Sequence, residues 1–278
     1  MSLLGRGLLY LSLTGCIGAS SIGLVLLRGA DPSVRIHRWI LVMGSLGLVS
    51  LALLGAGQFA AFRDPFAPWQ EDLGLLLSTD WGHNWMIAVA GFVLLVLAVL
   101  WIGARSPVLL LPLALALYPP FSGHAAASGD WTTAALLADW VHVVAAGLWL
   151  GALAGLLYLG RNSSEPPLVR ALGQFSLQAR MSVAALLLSG AFASWLHLPD
   201  PGALVETPWG RMLGLKLLLV SAMLVLGAYN WRRLSPRVDE PGGPATLVRA
   251  AWGEVLVGVL VLSATAVLAG TATPESLP

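Results

Sequence analysis

The chain predicts an all-α, polytopic membrane protein of eight transmembrane helices with both termini on the outer, periplasmic face, and three observations carry that prediction. Hydrophobic residues fill 57% of 278 positions and charged residues only 10%, with a mean hydropathy of +0.81, a composition foreign to soluble domains. Those apolar residues gather into runs of about 20, the length that crosses a bilayer as a helix. The basic residues between the runs alternate in density, as expected when lysine and arginine concentrate on the cytoplasmic side.

The first run, 8–27, contains Leu13-Thr14-Gly15-Cys16, the form of a lipoprotein cleavage box. Apolar sequence continues to Leu27, and Arg28, Arg35 and Arg38 draw its far end inward, opposite to a signal peptide, so a retained helix is expected. Runs at 39–62 and 83–104 follow. The fourth, 107–121, is short and interrupted by Pro112, Pro119 and Pro120, which donate no backbone hydrogen bond and leave carbonyls one turn earlier unpaired. The remaining runs are 132–159, 181–198, 211–231 and 248–270.

Eight crossings place Arg28, Arg35, Arg38, Arg105, Arg161, Arg170, Arg180, Arg232, Arg233, Arg237 and Arg249 inside and only Arg6, Arg63 and Arg211 outside. Asp64, Glu71, Asp72, Asp80, Asp130, Asp200, Glu206 and Glu275 then lie outside. Trp69, Trp81, Trp85, Trp131, Trp195 and Trp209 mark the outer interface, and Trp39, Trp101, Trp231 and Trp252 the inner one. The polar stretches 160–172 and 233–246 read as cytoplasmic loops. One membrane domain over 1–278 is expected, with helices 1–3 in 1–106 and helices 4–8 in 107–278. A net charge of +1 gives no basis for nucleic-acid binding. The lone Cys16 excludes an internal disulfide or a cysteine metal cluster.

Four of the five histidines, His83, His124, His142 and His197, fall at the outer ends of runs. On the fifth run, a helical period of 100° per residue puts Asp139, His142, Ala146, Trp149 and Leu153 on one face. Gly147, Gly151 and Gly155 lie opposite at four-residue spacing, which admits a second helix at close range. His124 follows the proline-broken run, beside irregular backbone that survives at membrane depth only when buried in protein or lining a water-filled cavity. His124 and His142 are therefore the first-choice metal ligands, Asp139 is expected to orient His142 from the outer shell, and His83 and His197 are secondary. His37 sits among arginines and reads as ordinary. Two ionisable residues inside runs, Glu254 near the cytoplasmic side and Lys216 near the outer side, are candidate relay groups on an ion path.

Ser122-Gly123-His124-Ala125, Asp139-Trp140-Val141-His142 and Trp149-Leu150-Gly151 resemble the copper resistance protein D family of bacterial inner-membrane proteins. The likeness continues through Thr207-Pro208-Trp209-Gly210-Arg211, Lys216, Asn230, Pro236, Arg249 and Glu254. It is clearest from Phe121 to Thr273, the earlier part sharing mainly the span pattern and Trp81-Gly82-His83-Asn84-Trp85. The resemblance implies an eight-helix copper uptake, homeostasis or resistance protein of the plasma membrane, working with a periplasmic copper-binding protein of the copper resistance protein C type. One departure is the absence of a methionine cluster at the outer edge, which removes a thioether Cu(I) site. Two other readings use the same residues: a haem b-binding redox protein with histidines as axial ligands, and a non-transporting receptor for a periplasmic copper carrier, which needs the histidines but not Glu254. No nucleophile, base and orienting group form a catalytic constellation, so no enzyme activity is expected.

Overall fold

The computed structural model of the protein describes residues 2–26, 34–160, 166–237, 240 and 242–274. Arg28, Arg161 and Glu275, used above to orient the chain, lie outside the described residues. Helix α1 spans Leu3–Ser21 and continues through a π turn at Ile22–Leu26; its first turn is capped by the Ser2 hydroxyl, which accepts from the Gly5 N–H at 3.0 Å. Helices α2 (Val34–Phe62), α3 (Trp69–Ser78) and α4 (Asp80–Ile102) follow, α4 being capped by Thr79. Glu71 and Asp72 occupy the first turn of α3, where negative charge opposes the positive end of the helix dipole.

The proline-rich run divides as its composition requires, into α5 (Ser106–Leu115) and a five-residue α6 (Tyr118–Ser122) that starts on Pro119 and Pro120. Two 3-10 turns, His124–Ala127 and Gly129–Trp131, lead to α7 (Thr132–Ala146). A π turn at Gly147–Gly151 then joins α7 to α8 (Ala152–Gly160). Beyond lie α9 (Pro166–His197), the short α10 (Ala203–Glu206), α11 (Pro208–Tyr229) ending in a π turn at Asn230–Leu234, and α12 (Gly243–Leu268).

Seven helical segments are long and apolar enough to cross a membrane, and Pro107–Ser122 is a shorter apolar segment. All described secondary structure is helical. The chain runs up and down, so His124 and His197 share one end of the bundle, called here the histidine end, while Arg35, Arg105 and Arg249 lie at the opposite, arginine end.

Helix α1 is the central post, packed against α2, α5, the α7–α8 unit and α12. The predicted glycine stripe is where it docks. A β-carbon on Gly151 would lie 1.9 Å from the Thr14 carbonyl oxygen, and one on Gly18 would lie 2.1 Å from the Gly151 carbonyl carbon, so the two backbones touch. Ile17 covers Gly147 and Ile22 covers Gly155 in the same seam. Hydrocarbon supplies no hydrophobic force to press helices together, so close approach of small residues and interhelical hydrogen bonds do the holding. Indole N–H groups contribute such bonds: Trp39 donates to the Gly15 carbonyl at 2.9 Å, Trp85 to Leu51 at 2.8 Å and Trp140 to Leu113 at 2.9 Å. Serines on this side do likewise, Ser12 to Met43 at 2.6 Å and Ser50 to Gly5 at 2.7 Å.

The π turn at Gly147–Gly151 frees a carbonyl from the regular ladder, and α9 takes it up. Gln178 Nε2 donates to the Leu148 carbonyl at 2.7 Å, while Gln178 Oε1 accepts from the Ser21 hydroxyl at 2.7 Å. Gln178 thus ties α1, the turn and α9 together.

Candidate functional site

Helices α1, α7, α9, α11 and α12 surround a cavity of about 540 Å³ whose wall includes His124, Asp139, His142, His197 and Lys216. Asp139, His142, Ala146 and Trp149 reach it from one helix face, as their phase predicts, but Leu153 does not. Leu153 packs instead with Leu157 and Ala251, because the π turn intervenes and breaks the 100° progression of a regular helix.

His142 is held from α9. The Ser189 hydroxyl donates to the Ala185 carbonyl at 2.6 Å, so its oxygen is left to accept, and His142 Nδ1 lies 2.9 Å from it. A neutral His142 therefore carries its proton on Nδ1 and a bare lone pair on Nε2. Gly190, the next residue of α9, makes room for the ring: a β-carbon there would sit 3.5 Å from His142 Cε1. Asp139, expected to orient this imidazole, shares the cavity wall with it, and the hydrogen bond to the ring belongs to Ser189.

His124 reaches the same condition by another route. Its Nε2 is buried without a hydrogen-bond partner, and its ring bonds the backbone of Thr271, so that bond falls to Nδ1. Burial pushes the His124 pKa below the ordinary histidine value, the Thr271 bond opposes that shift, and Arg6 adds to it. The deprotonated ring, with a lone pair on Nε2, is the form that ligates a metal. The His197 ring stands edge-on with its centroid 6.1 Å from that of His124, and Trp209 backs it at 6.3 Å.

His83 is exposed on α4 and is not part of the cavity wall. His37 Nε2 accepts the Ala104 N–H at 2.8 Å, closing the turn after Gly103 at the arginine end. Lys216 faces the cavity rather than the surface and feels the Asp139 carboxylate electrostatically. Among the described residues no three His, Cys, Asp or Glu side chains are gathered closely enough to enclose a metal ion. The chemistry on offer is a pair of imidazoles at the mouth, a third imidazole deeper in, and one carboxylate and one ammonium on the same wall.

Glu254 lies below the cavity, 6% exposed, and accepts a short hydrogen bond from the Asn230 amide, which is equally buried. Trp149, Leu150, Met223 and Leu262 form a buried cluster of their own, and both Trp149 and Glu254 approach Gly227 on α11. The aromatic cluster therefore stands between the cavity and the Glu254–Asn230 pair. Ser189 has no sequence-level signal beyond being a polar residue in an apolar helix; Asn230 and Glu254 are both singled out by the sequence, but their pairing is not.

Fold and site define an α-helical membrane protein with an imidazole-bearing cavity inside its bundle. Comparison with known families sharpens that class: the copper resistance protein D family matches residues 169–268 and its N-terminal domain matches residues 2–135. The chain belongs to the copper resistance protein D family. It is 28% identical over 292 residues to the copper transport protein CutJ of Bacillus subtilis (strain 168), an alignment covering 97% of this chain and 52% of that protein. The chain thus spans about half the length of that curated relative. No solved structure matches it.

Proposed function

We propose that the protein is a copper transporter of the bacterial inner membrane and not an enzyme. It accepts copper at the histidine end, from a periplasmic protein of the copper resistance protein C type, and passes it toward the cytoplasm. Family membership and the likeness to a copper transport protein support the cargo. One observation carries the site: His124 presents a buried Nε2 with no partner at the cavity mouth, beside the His197 ring and above a His142 whose Nε2 is also free of the Ser189 bond. Orphaned buried polar atoms are costly and rare in native proteins, and imidazole nitrogen suits copper.

In this reading eight crossings, counting the broken α5–α6 segment, put both termini in the periplasm. His124 and His197 receive the ion, and His142 takes it deeper. Asp139 supplies negative charge on the path, and Lys216 limits how many cations share the cavity. Glu254 accepts the ion or a proton once the Trp149 cluster moves. A hop from mouth to inner pair needs such motion, because this buried apolar cluster stands between them.

Copper content of the purified protein tests the site directly. Wild type retains copper after gel filtration, and His124→Ala with His142→Ala retains at least tenfold less; equal content in both overturns the assignment. Glu254→Gln keeps copper bound but lowers copper accumulation by cells. Unchanged accumulation at normal expression means a receptor rather than a transporter.

A further inference from the structure

The cavity is not closed on all sides. Helix α9 packs on α7 and on the π turn, and α11 packs on α12, but among the described residues α9 and α11 share no comparable seam although α10 alone separates them in sequence. Leu187 on α9 and Leu217 on α11 mark the gap. Each lines the cavity and is half exposed, at 51% and 48%. The next residue of each helix, Leu188 and Leu218, does not line it and is more exposed still, so the two leucines stand where the wall meets the outer surface and form a rim.

The depth of that rim identifies what lies outside it. Leu187 is ten residues from His197, and Leu217 nine from Pro208, so at 1.5 Å per residue both lie about 15 Å from the histidine end. In a hydrocarbon layer about 30 Å thick the gap opens near the middle, among lipid tails. Leu188 and Leu218, at 74% and 67% exposure, face those tails directly. Inside the gap the polar wall ends with His142 and Lys216, and the space below is bounded by apolar groups such as Val183, Val220 and Met223. Water there would find few of the two to four polar partners it needs, and an empty hollow would forfeit dispersion contacts along its whole lining.

We propose that an acyl chain of a membrane lipid enters between α9 and α11 and fills the lower, apolar part of the cavity, forming a hydrocarbon floor beneath the imidazoles. The inference goes beyond the copper reading and is independent of it: the floor forms whether or not copper is the cargo.

The full chain, reconstituted in phosphatidylcholine vesicles carrying a diazirine at mid-chain, is illuminated and its labelled residues are mapped by mass spectrometry. Label is expected on Met223, which lines the cavity and is otherwise buried, as well as on Leu188 and Leu218. Leu187→Trp with Leu217→Trp narrows the rim and should cut Met223 labelling at least fivefold while leaving Leu218 labelling unchanged, which also shows that the variant is folded. Label confined to Leu188 and Leu218 in wild type overturns the proposal, as does labelling of Met223 by a water-soluble diazirine in place of the lipid probe. The His124→Ala, His142→Ala protein should keep the Met223 label, so failure of the copper site and failure of the lipid site are separable.

Discussion

The bundle has a solid side and a hollow side, and α1 with the α7–α8 unit is the party wall. Around α1, α2, α4 and α5, Leu13, Ile17, Leu51, Phe92 and Leu95 have no exposed surface at all. On the other side, α9, α11 and α12 enclose a cavity, and the buried apolar residues there form two small clusters, Trp149, Leu150, Met223 and Leu262 in one and Leu153, Leu157 and Ala251 in the other. Apolar composition alone does not explain the contrast, since the helices of both sides are apolar enough to cross a membrane. Clamps do: the solid side is cross-tied by indole and serine hydrogen bonds and by backbone contact at Gly18 and Gly151, whereas no such seam joins α9 to α11 among the described residues. In lipid, helices separate wherever nothing specific holds them, and the cavity lies where α9 and α11 are left unclamped.

The party wall is where this contrast breaks most completely. Gly151→Ala sets a methyl against the Thr14 carbonyl with no flexible side chain to yield, so loss of most folded protein is expected, read as detergent-soluble monodisperse yield. Next in size is a matched pair of truncations. Phe92→Ala leaves a void in close packing and costs about 3–5 kcal/mol, whereas Leu213→Ala only enlarges a hollow already present and falls at the low end for leucine, about 2 kcal/mol. Comparable unfolding midpoints for the two would abolish the distinction between the sides. Ser189→Ala leaves the fold intact but releases the His142 ring, and loss of such an orienting partner lowers metal affinity by about 10–100-fold, measured by copper titration. The smallest effect belongs to His83→Ala, whose copper content should equal that of wild type.

Much of the scaffold is legible in the residues. The proline positions give the short broken segment, the glycine spacing gives the face that meets α1, and helical phase puts Asp139, His142 and Trp149 on one wall. What escapes is which helix arrives opposite a given face. Asp139 shares a helix with His142 and is the partner the sequence suggests, yet the ring's hydrogen bond goes to the Ser189 oxygen, 47 positions away. His83 resembles the other histidines in hydropathy context, but α4 packs on α2 and α5, away from the cavity. Local period fixes direction around one axis, and the choice of neighbour is a property of the whole bundle.

The π turn at Gly147–Gly151 also bears on how this chain tolerates change in length. It is one residue longer than a regular turn would be, so it works as a phase correction inside an otherwise continuous helix. A deletion of one residue there would look harmless on a hydropathy plot. It would restore the regular ladder and leave everything from Ala152 onward on nearly the same face, because five residues of π turn sweep about the same angle as four of α-helix, so Gly155 would still meet Ile22. The surplus residue is thus the one this span can lose without turning its two halves against each other, and what its loss would remove is the freed Leu148 carbonyl that Gln178 takes up.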